Sequence, residues 1–164
     1  MGGSPLAEAI AGHLGGSGFS VQAWSRFPAA AGDAFDGLES ERGPARGLVG
    51  VLDGFEAAPG LPAESAWRAE VGDRVDAAFR VIAEFGRRLI RAGQEGAIVN
   101  VLPISVVAAV PGRVTEAAAA GALLGLTRAA AADLGRHGIR VNAIAVGPLE
   151  GGAALLPDPI GGVD

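Results

Sequence analysis

GALLGLTRAAAADLGRHGIRVNAIAVGP, residues 121–148, decides the fold. It opens inside an alanine-rich helix expected over residues 114–135, reaches a glycine at Gly138, and continues into Ile139–Val146 (IRVNAIAV), a β-branched run read as a buried strand. Gly121 and Gly125 lie one turn apart on the helix, where small residues let another helix approach closely despite glycine's propensity cost. Upstream, Ala97–Leu102 (AIVNVL) has the composition of a strand buried on both faces, and a Val/Ala stretch leads from it to Pro111–Gly112. Before it lies the clearest periodicity in the chain. Val71, Val75, Ala78, Ile82, Phe85 and Leu89 recur at spacings of four and three, the stripe of a helix over residues 66–92. Ser65 is its expected N-cap and Gly93 its terminator, with Arg87, Arg88 and Arg91 favouring the dipole at its C-terminal end.

The same alternation extends towards the start. Residues 47–52 (GLVGVL) read as a buried strand closed by Asp53–Gly54, and residues 58–64 as a loop. Residues 5–14 (PLAEAIAGHL) read as a helix with Pro5 in its first turn, and Phe19–Trp24 alternate as a short strand would. Strands alternating with helices over short connections give an α/β fold with a mostly parallel sheet. One domain is expected over residues 1–150, followed by a Gly/Pro-rich tail at 151–164.

Composition narrows the chemistry. The 164 residues are 49% hydrophobic and 19% charged, enough for one real core and unlike a disordered chain. The net charge of −5 gives no footprint for nucleic acid. No apolar run is long enough to span a membrane without a charge, Gly or Pro, and the first residues do not resemble a signal peptide, so a soluble cytoplasmic protein is expected. All 13 basic residues are Arg, and Lys, Tyr and Cys are absent. The chain therefore offers no Schiff base, thiolate, disulfide or phenolic proton donor. His13 and His137 stand too far apart for a metal motif and read as surface or capping residues, and Glu70, Asp73 and Asp76 follow a solvated helix face.

GAIVNV (96–101) and PGRVTEAAAAGALLGLTRAAAADLGRHGIRVNAIAVGP (111–148) resemble the C-terminal half of the catalytic core of short-chain dehydrogenases/reductases, in particular members like 3-oxoacyl-acyl-carrier-protein reductases. Fainter similarity covers most of the rest. GLVGVLDG (47–54) is similar to the family's Leu-Val-Asn-Asn-Ala-Gly strand and turn, residues 63–81 to its following interface helix, and PLAEAIAGHL to the helix after its glycine-rich cofactor loop. The resemblance implies a reduced Rossmann-like parallel sheet flanked by helices, here lacking the usual first strand and the C-terminal helix and strand. Between residues 25 and 47 there is room for little more than one short helix.

The departures from the family pattern carry the functional expectation. Anchored on GALLGLTR, the family's catalytic tyrosine and lysine fall at Glu116 and Ala120, its serine at Pro103 and its supporting asparagine at Arg74. Ser105 replaces the serine if the loop shifts by two, but no realignment restores a tyrosine that the chain does not contain. The family's glycine turn is met by Pro5 and Ala7, leaving Gly2, Gly3 and Ser4 as a weak anion cradle and Arg26 near where a 2′-phosphate is read. No cofactor is expected in this chain, and NADP(H) only in a partner subunit.

The expected role is a catalytically inactive subunit. It pairs with an active ketoreductase of the same fold, or with itself as a dimer or tetramer, through its two long helices, with Val71, Val75, Ala78, Ile82, Phe85, Leu89, Gly121 and Gly125 as interface. Two alternatives stand beside it: a non-redox dehydratase, isomerase or cyclase using Glu116 with Ser105 or Arg113, and a residual NADPH-dependent ketoreductase.

Overall fold

Among the described residues three parallel strands form one sheet: β1 (Gly47–Val51), β2 (Gly96–Pro103) and β3 (Ile139–Val146), in the order β1-β2-β3. The structure is a computed structural model that describes residues 4–24 and 27–147. The registers Leu48↔Ile98↔Val141 and Gly50↔Asn100↔Ala143 put one apolar column from each strand on the same face. Helices close that face. They are α2 (Ala31–Arg42), α4 (Arg74–Ala92) and α5 (Val114–Gly135), and α4 and α5 each return from the carboxyl end of one strand to the start of the next.

Leu48, Ile98, Ile139 and Val141 from the sheet meet Val81, Ile82, Phe85 and Leu89 from α4 and Phe35 from α2. A second cluster at the carboxyl end joins Leu52, Phe55 and Leu102 to Ala78 of α4 and Ala119, Ala120 and Leu123 of α5. One polar pair is sealed between them: Asn100 Nδ2 donates to Thr127 Oγ1 at 2.9 Å, and that hydroxyl donates to the Leu123 carbonyl at 2.7 Å. The opposite face of the sheet is less covered, with Val49 40% and Ile144 53% exposed.

Most helix and strand readings hold, and four readings are corrected. Residues 19–24 form no strand. A strand needs a hydrogen-bonded neighbour, and this segment instead sets Trp24 edge-on to Phe35, with ring centroids 5.4 Å apart. Ser65 is not an N-cap: α3 (Glu64–Trp67) starts one residue earlier, with Ala63 in the cap position and no side-chain cap. A π-helical turn (Arg68–Asp73) then joins α3 to α4 where one unbroken α-helix is expected.

The fourth correction concerns the helical stripe. Ala78, Ile82, Phe85 and Leu89 are buried in this chain's own core, and Val71 and Val75 are partly buried against it. A core takes the most apolar face of a helix, so the four buried residues are covered within the chain and Val71 and Val75 in part. Gly121 and Gly125 do lie on the exposed side of α5, where an added Cβ meets nothing within 4 Å.

α1 (Pro5–Gly16) matches its expected start and ends two residues later than expected. Gly93 terminates α4 in the left-handed conformation, at φ 60°. The tail at 151–164 lies outside the described residues.

Gly96 marks the tightest approach between sheet and helix. A Cβ there would stand 2.4 Å from Leu89 Cδ1 and 3.0 Å from the Arg46 carbonyl oxygen. Gly96→Ala should therefore cost about 2 kcal/mol in urea unfolding. Gly12→Ala, in open space on α1, should raise stability by about 0.5 kcal/mol.

Candidate functional site

Open α/β sheets bind ligands outside the carboxyl ends of their strands, so the segments after β1 and β2 and the start of α5 are the place to look. Asp53 follows β1, and its carboxylate accepts a hydrogen bond from Ser4 Oγ. The same hydroxyl accepts from the Ala7 amide at 3.2 Å as the N-cap of α1. Arg74, on the first turn of α4, donates from Nη1 to the Asp53 carbonyl at 2.7 Å and from Nη2 to the Gly54 carbonyl at 3.1 Å. Its guanidinium lies 4.3 Å from the centre of the Phe55 ring and 2.9 Å from Glu70 Oε2. Arg113, just before α5, donates from Nη1 to the Phe55 carbonyl at 2.8 Å and to Glu116 Oε2 at 3.3 Å.

Three consecutive backbone carbonyls, at residues 53–55, are thus held by two arginines. Hydrogen bonds to charged donors are the strong ones, and these fasten the turn after β1 to α4 and α5. No sequence signal pointed to them, because an arginine's partner carbonyl leaves no mark on composition or spacing.

The candidate catalytic positions are brought near one another but are not alike. Pro103 ends β2, and Ala120 is fully buried in the carboxyl-end core. The Glu116 and Arg113 side chains are each 14% exposed and paired with one another, so Glu116 is not a lone desolvated carboxylate. Ser105 sits in a short 3-10 turn (Ile104–Val106), 7% exposed, and its Oγ has no hydrogen-bond partner among the described residues. Of the candidate anion cradle only Ser4 is described, its hydroxyl engaged as above; Gly2, Gly3 and Arg26 lie outside the described residues. His13 and His137 are both exposed. Among the described residues no three His, Cys, Asp or Glu gather as a metal site would require.

Two clefts open elsewhere. One, of about 520 Å³, lies between α2 and the end of α4, bordered by Asp36, Glu39, Glu84, Arg88 and Arg91. Arg88 reaches Asp36 at 2.7 Å, Glu39 at 2.8 Å and Glu84 at 2.8 Å, and donates to the Gly32 carbonyl at 3.0 Å. Burial works against its charge, but the hydrogen bonds to Asp36, Glu39 and Glu84 outweigh that and hold the guanidinium more firmly protonated than usual. Burial alone would raise the Glu84 carboxyl, yet hydrogen bonds from Arg88 and Arg87 and the charges of Arg88 and Arg91 hold it below its ordinary value. The second cleft, of about 260 Å³, is an apolar groove between the outward sides of α4 and α5.

Residues 63–156 match the family model described as enoyl-(acyl carrier protein) reductase. Among curated proteins, the chain is 39% identical over 98 residues to short-chain dehydrogenase reductase 4 of Arabidopsis thaliana, covering 59% of this chain and 32% of that protein. It is 29% identical over 150 residues to (3R)-3-hydroxyacyl-CoA dehydrogenase of Canis lupus familiaris, covering 82% of this chain and 56% of that one. Among solved structures, acetoin dehydrogenase from Enterobacter cloacae superposes with a TM-score of 0.71 at 29% identity, over 86% of this chain and 59% of its own. The chain thus spans less than two thirds of the length of these proteins.

Proposed function

The chain belongs to the short-chain dehydrogenase/reductase family, and from that premise we propose that it is a non-catalytic subunit, pairing through the outward sides of α4 and α5 with an active reductase of the same fold or with a copy of itself. One observation carries this reading: a chain without tyrosine has its charged groups at the carboxyl end of the sheet answered from within. Arg74 and Arg113 donate to the chain's own backbone and Glu116 is neutralised by Arg113, so none of the three awaits a substrate.

The nicotinamide dinucleotide that the family implies does not fit the described groups here. The Ser4 hydroxyl is shared between α1 and Asp53, and Arg74 and Arg113 are bonded to the chain's own carbonyls. What the chain retains is the helix pair, and its value to a partner would be to stabilise it and border its substrate entrance.

A second reading has one observation in its favour. Ser105 Oγ is buried and unpartnered, and a buried hydroxyl of that kind invites a ligand or a water. A non-redox enzyme built on Ser105 and Glu116 would need the carboxylate free to reach a substrate, and here it is bonded to Arg113.

Co-purification of the tagged chain with neighbouring gene products of its own genome, read by light scattering, tests the proposal. A stable complex with an intact reductase, or a stable homo-oligomer, is the expected result. A folded monomer that takes no reductase overturns it.

A further inference from the structure

α1 is joined to the rest of the fold at its N-terminal end. None of its residues is fully buried. Among the described residues one hydrogen bond links it to another element, from Ser4 Oγ to the carboxylate of Asp53. Arg74 fixes the Asp53 backbone from the other side by donating to its carbonyl at 2.7 Å. The positive end of a 12-residue helix is thus set against the carboxyl end of the sheet, and anions gather where those two coincide. In this chain the anion is already there, built into the turn after β1. Asp53 is half-buried, and among the described residues its carboxylate pairs with no arginine.

The donors at that end are spent in the same way. The first amides of a helix have no partner within it. Pro5 brings none, and the Ala7 amide is taken by Ser4 Oγ at 3.2 Å. The one proton of that hydroxyl goes to Asp53. We propose that Asp53 is an internal counter-anion, which stands at the positive end of α1 in place of the diphosphate of a dinucleotide and repels any that approaches. This rests on the reading above, that the chain takes no nicotinamide dinucleotide, and names the residue that enforces it.

The sign of the effect follows from charge. The helix dipole stabilises a carboxylate at its N-terminal end, so the closed arrangement is favoured before any ligand arrives. A diphosphate brought to the same place would stand within about 6 Å of that carboxylate, where repulsion between like charges lowers affinity by at least about tenfold. In the stretch similar to the family's Leu-Val-Asn-Asn-Ala-Gly turn, Asp53 takes the place of alanine. The charge therefore belongs to this chain and not to the pattern it otherwise resembles.

Thermal unfolding of the full chain, with calorimetry of inorganic pyrophosphate binding at constant ionic strength, tests the proposal. Pyrophosphate at about 10 mM should leave the wild-type midpoint unmoved, and so should NADPH. Asp53→Asn keeps a partner for Ser4 but drops the charge. Its midpoint should fall by a few degrees, pyrophosphate should restore it, and its affinity should exceed that of the wild type by at least about tenfold. Asp53→Ser makes the same test with a smaller side chain. Ser4→Ala, which cuts the bond and leaves the carboxylate, should lower the midpoint without admitting pyrophosphate. Glu56→Gln, on an exposed neighbour, should match the wild type. Folded Asp53 variants as indifferent to pyrophosphate as the wild type overturn the proposal while the dinucleotide-free reading stands. Binding of NADPH by the wild type overturns both.

Discussion

Arg88→Ala should lower the unfolding free energy by about 3 kcal/mol, the largest effect expected from a single substitution away from the sheet. The Arg88 side chain is 15% exposed, and two of its carboxylate partners, Glu84 and Glu39, are 17% and 28% exposed. Removing the guanidinium leaves those charges facing one another with the Gly32 carbonyl unbonded, and it detaches α2 from α4. The guanidinium also lies 5.6 Å from the centre of the Phe35 ring, which itself stacks on Phe85 at 5.7 Å, so the loss reaches the core. Asp36 contributes little, being 70% exposed. Arg88→Lys should recover only part, since a point charge cannot fork to three carboxylates.

Acid should act on the same cluster. Glu84 is held below its ordinary value of 4.5, so its contribution is fully present above that pH and fades as pH falls through the lowered folded value. The acid limb of wild-type stability should therefore be steeper than that of Arg88→Ala. Urea midpoints between pH 3 and pH 7 measure both effects, and equal slopes would show that the cluster does not hold α2 in place.

None of this was legible in the sequence. The partners of Arg88 come from α2 and α4, about fifty positions apart in the chain, and ion pairs across elements leave no periodic signal. What the sequence did reveal rests on local rules. The runs at 47–51, 96–103 and 139–146 are β-branched and bounded by Gly or Pro, and α4 ends where Gly93 stops it, whereas α5 already ends at Gly135 and Gly138 closes the turn into β3. Phe19–Trp24 misled because alternation shows only that one side is apolar, while a strand also needs a neighbour to pair with.

The stripe on α4 misled in a more instructive way. Val71, Val75, Ala78, Ile82, Phe85 and Leu89 form the most apolar face, and that face was taken by the core. The outward face is the same series shifted by one residue, through Phe79, Ala83, Gly86 and Ile90. Small residues dilute it, so hydrophobicity alone does not single it out.

At the carboxyl end of the sheet the absence of tyrosine was legible at once, while the use made of Arg74 and Arg113 was not. Together they give the second large expectation: the chain alone transfers no hydride. A positioned proton donor contributes on the order of 10²–10⁴ to such a rate, and neither substituted position supplies one. Glu116 is bonded to Arg113, and Ala120 is sealed among Leu52, Phe55 and Leu102. Placing a tyrosine at Glu116 should not rescue turnover, because Ala120 offers no lysine beside it.

The most direct measurement is oxidation of NADPH or NADH by the purified chain over a panel of ketones and 3-oxoacyl thioesters, followed by absorbance with an enzyme-free blank. Rates indistinguishable from the blank, with activity only when an intact reductase is bound, are the expected result. Turnover that scales with the concentration of the chain alone, and that Glu116→Gln or Ser105→Ala abolishes, would contradict the account.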